Sequence, residues 1–275
     1  MSTLYLVPTP LGNLEDITLR SLRVLAEVKL VATEDTRTTG RLLKHFELSC
    51  PMLSYHEHNE EARLAQLLAA LAEGDVALVS EAGMPLLSDP GHKLVQAAIA
   101  HGITVVALPG PSALTTALPA SGLPLDSFSF FGFLPRKAKA RRDLLMEVTS
   151  LKHTLVFFES PHRLAVSLAD LAEILGGERS IAVCRELTKL HEEIWRGTLT
   201  EAEQVWSART PRGEFTLVVE GAREALPPWD EEQVLAALAE LVATGSGTKL
   251  AAQMVAEQSG WPKKEVYALA QQVKK

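Results

Sequence analysis

Cysteine is nearly absent. The 275 residues hold two, Cys50 and Cys184, far apart in the chain. Neither a disulfide framework nor a zinc-ligand spacing follows from them, and they fit a reducing cytoplasm. The N-terminus, Met1-Ser2-Thr3-Leu4-Tyr5-Leu6, lacks a basic segment and a cleavage signature, so no secretory signal is expected. A long uninterrupted apolar run is missing too. The longest charge-free stretch, residues 102–125, is broken by Pro109, Pro111, Pro119 and Pro124. It reads as strand, loop and helix, and no membrane association is expected. There is no internal repeat and no low-complexity tract.

An excess of basic charge is also lacking. Lys+Arg is 27 and Asp+Glu is 34, a formal net charge of −7. A protein held to nucleic acid by its overall charge usually reads basic, so any such contact must rest on a local patch. Hydrophobic residues at 47% and charged residues at 22% are ordinary globular values and exclude a disordered chain. The length allows one large domain or two ordinary ones.

What is present is an alternation. Short apolar runs at residues 4–7, 29–32, 52–55, 76–79 and 104–108 read as strands. Helical stripes separate them, such as Leu19, Leu22 and Leu25, and Leu64, Leu67, Leu68 and Leu71. This predicts an α/β domain with a mostly parallel sheet over residues 1–117. Strand patterns at 128–133, 153–158, 181–185, 193–197 and 215–220 follow. Helices are expected near 140–149 and along Leu164, Leu168, Leu171 and Leu175. Together they predict a second α/β domain with a mixed sheet over 118–224.

Ala225-Leu226-Pro227-Pro228-Trp229 reads as a linker, and residues 228–275 as a small helical module. Val234, Leu235, Leu238, Leu241 and Val242 form one apolar face, a second short helix covers 249–257, and Pro262 opens a third after a Ser259-Gly260 turn. Three such helices resemble a helix-turn-helix module. A bundle that merely packs or dimerises has the same spacing. Acidic and basic residues nearly balance there, so the module is not a basic arm.

Three loops follow apolar strands of the first domain, where ligands bind in parallel sheets. The first is Pro8-Thr9-Pro10-Leu11-Gly12-Asn13. The second, residues 80–91, is long for a strand–helix connection. Within it Asp89 before Pro90 has the look of a helix N-cap, with ligand contact as its other reading. Glu81 sits where a carboxylate can hold an amine or hydroxyl. The third, Pro109-Gly110-Pro111-Ser112-Ala113, opens a helix whose free N–H groups suit polar ligand atoms. Each has a plain alternative as a turn, a cap or a solvated charge. No Gly-x-Gly-x-x-Gly, P-loop or Gly-x-Ser-x-Gly pattern occurs, and His56 and His58 form no zinc pattern; they read as exposed loop histidines.

Further motifs continue the series: Gly132-Phe133-Leu134-Pro135-Arg136-Lys137, Glu159-Ser160-Pro161-His162-Arg163, Arg185-Glu186-Leu187-Thr188-Lys189 and Gly213-Glu214-Phe215. In this order, across residues 4–221, the motifs resemble the tetrapyrrole (corrin/porphyrin) methylase superfamily. Within it they look like the branch that methylates the ribose 2′-oxygen of a cytidine in the decoding region of small-subunit (16S) rRNA. Glu81 departs from the Asp more frequent in that branch but keeps the carboxylate.

The resemblance implies two α/β domains of the class III methyltransferase type plus the C-terminal helical module. It also implies S-adenosylmethionine in the cleft between the α/β domains, no metal, a homodimer, and 16S rRNA as partner within the small ribosomal subunit. By motif position, Leu11, Glu81, Met84, Ser112 and Ala113 would line the cofactor cleft from the first domain, and Glu159, Leu187 and Thr216 from the second. Glu186 and Lys189 are the candidate catalytic pair, as base and cation at the acceptor hydroxyl. A structural ion pair is their plain alternative. Arg136, Lys137, Lys139, Arg141 and Arg142 form a basic window suited to phosphate, which Arg163 extends. The competing readings are a tetrapyrrole methyltransferase and a non-catalytic RNA-binding factor.

Overall fold

The computed structural model describes residues 2–222, 229–244 and 246–273. Strand and helix alternate through its first part: β1 (Thr3–Leu6), α1 (Leu19–Glu27), β2 (Leu30–Thr33), α2 (Thr36–His45), β3 (Met52–Ser54), α3 (Glu60–Glu73), β4 (Val76–Val79), α4 (His92–Ala100), β5 (Thr104–Ala107) and α5 (Ala113–Ser121). The five strands form a wholly parallel sheet in the order β3-β2-β4-β1-β5. All their carboxyl ends therefore share one rim. β4 is buried along its whole length, as expected for a strand covered by helices on both faces.

The second sheet contains β6 (Phe128–Phe133), β7 (Thr154–Glu159), β8 (Ser180–Arg185), β9 (Glu193–Thr198) and β10 (Phe215–Val219), in the order β6-β7-β10-β8-β9. Only β6 and β7 pair in parallel; the other neighbours are antiparallel, so the sheet is mixed. α6 (Ala138–Val148), α7 (Leu164–Leu175) and α8 (Leu199–Ser207) accompany it. The two-residue period of β7 sorts its side chains. Leu155 and Phe157 enter a core shared with α6, α7 and α8, while Val156 and Phe158 face the other way. That second face is covered by Leu114, Ala117 and Leu118 of α5. A helix that follows the first sheet thus packs on the second and ties the two together, and residues 117 and 118 lie inside it. Burying each of the two leucines is worth about 1.5–3 kcal/mol.

Chain contacts divide the protein into two compact units, residues 1–222 and 223–275. In the smaller unit α9 (Glu231–Ala243), α10 (Thr248–Ser259) and α11 (Lys263–Val273) enclose Val234, Leu238, Ala252, Val255, Val266 and Ala270. Asp230 and Gln233 form a reciprocal cap at the start of α9, and Gly260 at φ 71° ends α10. Most of the expected linker, 225–228, lies outside the described residues. Among the described residues no helix is long and apolar enough to cross a membrane.

Candidate active site

The loops on the rim of the first sheet are locked to one another. Thr9 and Gly83 exchange backbone hydrogen bonds of 3.0 and 2.8 Å. Thr9 Oγ1 donates to the Ser80 carbonyl at 3.2 Å, and Ser80 Oγ donates to the Gly83 carbonyl at 3.1 Å. Within this frame Leu86 and Ser88 hold φ values of 72° and 71°. Side-chain-bearing residues adopt that region at a cost, and such strain gathers at functional sites. Of the two roles open to Asp89, the N-cap does not hold. α4 begins at His92 with Gly91 in the cap position, and Asp89 faces a cleft instead.

The cleft encloses about 340 Å³ between the two sheets, within the range of small-molecule sites. Leu11, Glu81, Met84, Asp89, Ser112 and Ala113 line it from the first sheet's loops. Phe133, Phe158, Glu159, Glu214 and Thr216 line it from the second. Leu187 is absent from this wall; it borders a small adjoining cavity of about 30 Å³ with Leu11, Ala113 and Thr216. The sequence motifs do not place Glu34, Phe133, Phe158 or Glu214 here. Those around Phe133 and Glu214 are visible in the chain, but not the side that each residue faces.

The lining is acidic, with Glu34, Glu81, Asp89, Glu159 and Glu214, and contains no Lys or Arg among the described residues. Burial, followed by the charges of Glu34, Glu81 and Glu214, pushes the Asp89 carboxyl up to about 7. Burial and Glu81 raise Glu34 as well. Apolar walls, surplus negative charge and the open first turn of α5 at Ser112 and Ala113 suit an organic cation with a carboxylate of its own.

Glu159 is a fixed part of this wall. Its Oε1 accepts from the Ser160 amide at 2.7 Å and from Arg163 Nη2 at 2.6 Å, and its Oε2 accepts from Ser167 Oγ. Arg163 also donates to the Leu134 carbonyl at 2.8 Å. Its cation is turned inward, which corrects its expected role as an RNA contact.

Glu186 and Lys189 do not line the cleft. Lys189 Nζ donates to Glu186 Oε1 at 2.8 Å and to Glu214 Oε2 at 2.9 Å. Glu186 Oε1 also accepts from the Glu214 amide at 3.0 Å. Burial opposes ionisation of Glu186, but Lys189 and this amide prevail and hold it below its usual range. Burial likewise opposes the charge on Lys189, and the two carboxylates raise its pKa. A carboxylate so stabilised is a weak base. The pair borders the cleft through Gly213 and Glu214.

The basic window divides in two. Arg136, Lys137 and Lys139 are exposed. Arg141 is 5% exposed and pairs with Asp170, with Nε and Nη2 each 2.7 Å from Oδ2. Arg142 bonds Asp170 Oδ1 at 2.7 Å and grips Glu173. These two cations staple α6 to α7. Burial corrects the reading of Arg141 as an RNA contact, whereas Arg142 keeps its side chain 36% exposed beside its carboxylates. The helical period at α6 turns Arg141 onto its buried face.

Comparison with known proteins agrees with this geometry. The family model for Tetrapyrrole (Corrin/Porphyrin) Methylases matches residues 3–203, and that for the RsmI C-terminal HTH domain matches 228–274. Ribosomal RNA small subunit methyltransferase I of Halalkalibacterium halodurans is 48% identical, over 98% of this chain and 95% of its own. The chain belongs to the ribosomal RNA small subunit methyltransferase I family. Its Synechocystis relative of the same name is 46% identical over 98% of each chain, and that of Escherichia coli O157:H7 is 47% identical over 97% of this chain and 94% of its own. Solved structures share the fold of this family member. The methyltransferase CobJ matches with a TM-score of 0.62 at 20% identity, over 82% of this chain and 98% of that one. A Thermus thermophilus uroporphyrin-III C-methyltransferase, solved with S-adenyl homocysteine, matches with 0.56 at 20% identity, over 79% and 97%.

Proposed function

We propose that this chain transfers a methyl group from S-adenosylmethionine to the ribose 2′-oxygen of a cytidine in 16S rRNA. The acid-lined cleft between the two sheets carries the reading, because its charge and apolar walls suit a sulfonium ligand. Relatives named for small-subunit rRNA methylation, similar along nearly the whole chain, support the substrate. The family's resemblance supports a cytoplasmic homodimer acting within the small subunit.

S-adenosylmethionine supplies a methyl carbon made electrophilic by its sulfonium. What remains for the chain is placement. An in-line displacement gains most of its rate when the attacking oxygen is held roughly 3–3.5 Å from its target. Leu11, Met84, Phe133 and Phe158 would exclude water, and Glu81 and Asp89 would face the ligand's positive charge. Ser112, Ala113, Glu159 and Thr216 would complete the wall, with Leu187 behind it. Glu186 and Lys189 would act by positioning Glu214 and the loop they belong to. Arg136, Lys137 and Lys139 would meet RNA phosphates beside the cleft.

The test offers labelled S-adenosylmethionine with small subunits and, in parallel, with uroporphyrinogen. Label in rRNA alone supports the reading. Label in the tetrapyrrole alone would replace it, and failure to bind the cofactor would point to a pure binding factor.

A further inference from the structure

Beside the cleft lies a second, open groove of about 420 Å³. It sits at the carboxyl ends of β2, β3 and β4. Glu34, Asp35 and Arg37 come from the end of β2 and the start of α2, His56 and His58 follow β3, and Glu81 follows β4. Glu34 and Glu81 line both the groove and the cleft, so the two spaces meet at these carboxylates.

Three details give the groove a chemistry. Arg37 stands out from the surface, its side chain 86% exposed, while Asp35 holds its guanidinium through Nε at 3.1 Å and Nη2 at 2.8 Å. Nη1 makes no hydrogen bond among the described residues and is left for an anion. His56 and His58 stand edge to face, 6.0 Å apart, two ring faces with no other aromatic neighbour among the described residues. The His56 ring is also fixed. Asn59 Oδ1 accepts from the His56 amide at 2.8 Å, so Asn59 Nδ2 is the donor towards the Ser54 carbonyl at 3.1 Å and His56 Nε2 at 3.1 Å. Nε2 is then the accepting nitrogen and the neutral ring carries its proton on Nδ1. That Nδ1 is enclosed and has no partner among the described residues.

A cation for phosphate, aromatic faces for a base and carboxylates for a sugar hydroxyl are the elements that hold an unstacked ribonucleotide. We propose that this groove is the acceptor subsite, which takes one extruded nucleotide of the RNA with its phosphate on Arg37, its base against the histidines and its ribose hydroxyl towards Glu34. The assignment deepens the rRNA reading above and rests on it. It also gives the two histidines a role in RNA recognition in place of exposed loop residues.

The experiment measures equilibrium binding of unmethylated small ribosomal subunits and, separately, of S-adenosylmethionine, for the intact chain and for Arg37→Ala, His56→Ala and Glu34→Gln. Because Arg37 is exposed, its variant keeps the fold, and it bears the test if the His56 variant is unstable. Subunit affinity is expected to fall at least fivefold in Arg37→Ala and His56→Ala, with cofactor affinity unchanged within twofold. Subunits carrying a 2′-deoxy residue at the acceptor position bind the intact chain more weakly, and Glu34→Gln adds no further loss on them. Unchanged subunit affinity in Arg37→Ala, or an equal loss of cofactor affinity, overturns the subsite. An intact chain that neither binds nor methylates small subunits overturns the substrate reading itself, and the subsite with it.

Discussion

Lys189 lies across the backbone of Gly12. A Cβ at Gly12 would stand 2.1 Å from Lys189 Cγ, so only glycine lets the loop after β1 pass beneath the loop after β8. The Asn13 amide donates to Thr188 Oγ1 at 3.3 Å beside this crossing. Glu186 makes a matching approach to Gly213, where a Cβ would lie 2.3 Å from its carboxyl carbon. The Lys189 crossing thus registers the two sheets at the edge of the cleft, and the Glu186 contact fixes two loops of the second sheet against each other.

Gly12→Ala should therefore displace Lys189 and cost about 1–3 kcal/mol, the usual penalty of overpacking. Denaturant unfolding reads the loss, and an unchanged midpoint would show that the crossing tolerates a methyl group. Turnover should fall with it.

Glu186→Gln and Lys189→Ala should each lower kcat at saturating subunits by roughly ten- to a hundredfold through misplacement, with S-adenosylmethionine affinity kept. A positioning role leaves the shape of the pH–rate profile intact. If Glu186 is the general base, Glu186→Gln instead abolishes the acidic limb. Normal turnover in both variants would remove the pair from the account.

Asp89 makes both stability and cofactor binding depend on pH. The folded chain holds the Asp89 proton up to about 7, whereas an unfolded aspartate loses it near about 3.9. Between those values the folded state binds the extra proton, so this group's contribution to stability falls as pH rises from about 4 to about 7. A cationic ligand favours the carboxylate, so cofactor affinity should rise as pH climbs through 7. Calorimetry from pH 6 to 8 tests this. Asp89→Asn should flatten the slope and bind more weakly at pH 8; a slope that persists unchanged in the variant assigns it to another group.

The salt dependence of subunit binding should separate the basic residues. Replacing Arg136, Lys137 and Lys139 by Ala should make the log–log slope shallower, by up to about one for each phosphate no longer neutralised. Arg141→Ala should leave the slope alone and cost about 3 kcal/mol, because it breaks a buried ion pair. The reverse pattern would restore Arg141 to the RNA surface.

How much of the molecule is legible in its sequence depends on where each residue finds its neighbours. Strands such as β4 and β6 are legible because their apolar runs have sharp ends. α2 is not, since only Thr39, Leu42 and Leu43 are buried in a polar stretch. α8 escapes a reading of apolar stripes, although Thr198 and Glu201 form a capping box at its start. At the site, motif position locates the loops that hold Leu11, Met84 and Ser112, and the start of β10 that holds Thr216. It does not reveal that Arg141 and Arg163 spend their charge on Asp170 and Glu159, because those partners come from other turns and elements. Asp89-Pro90 carries a helix-start signal, but Gly91 takes the cap position and leaves the carboxylate to the cleft.

Methyl transfer to a ribose oxygen of small-subunit rRNA can be read out directly. The most direct measurement incubates the chain with labelled S-adenosylmethionine and unmethylated small subunits, digests the RNA and maps the label by mass spectrometry. One labelled cytidine is expected, with the added mass on the ribose rather than on the base. Label on a base, label at many positions, or rRNA left unlabelled beside a methylated tetrapyrrole would contradict it.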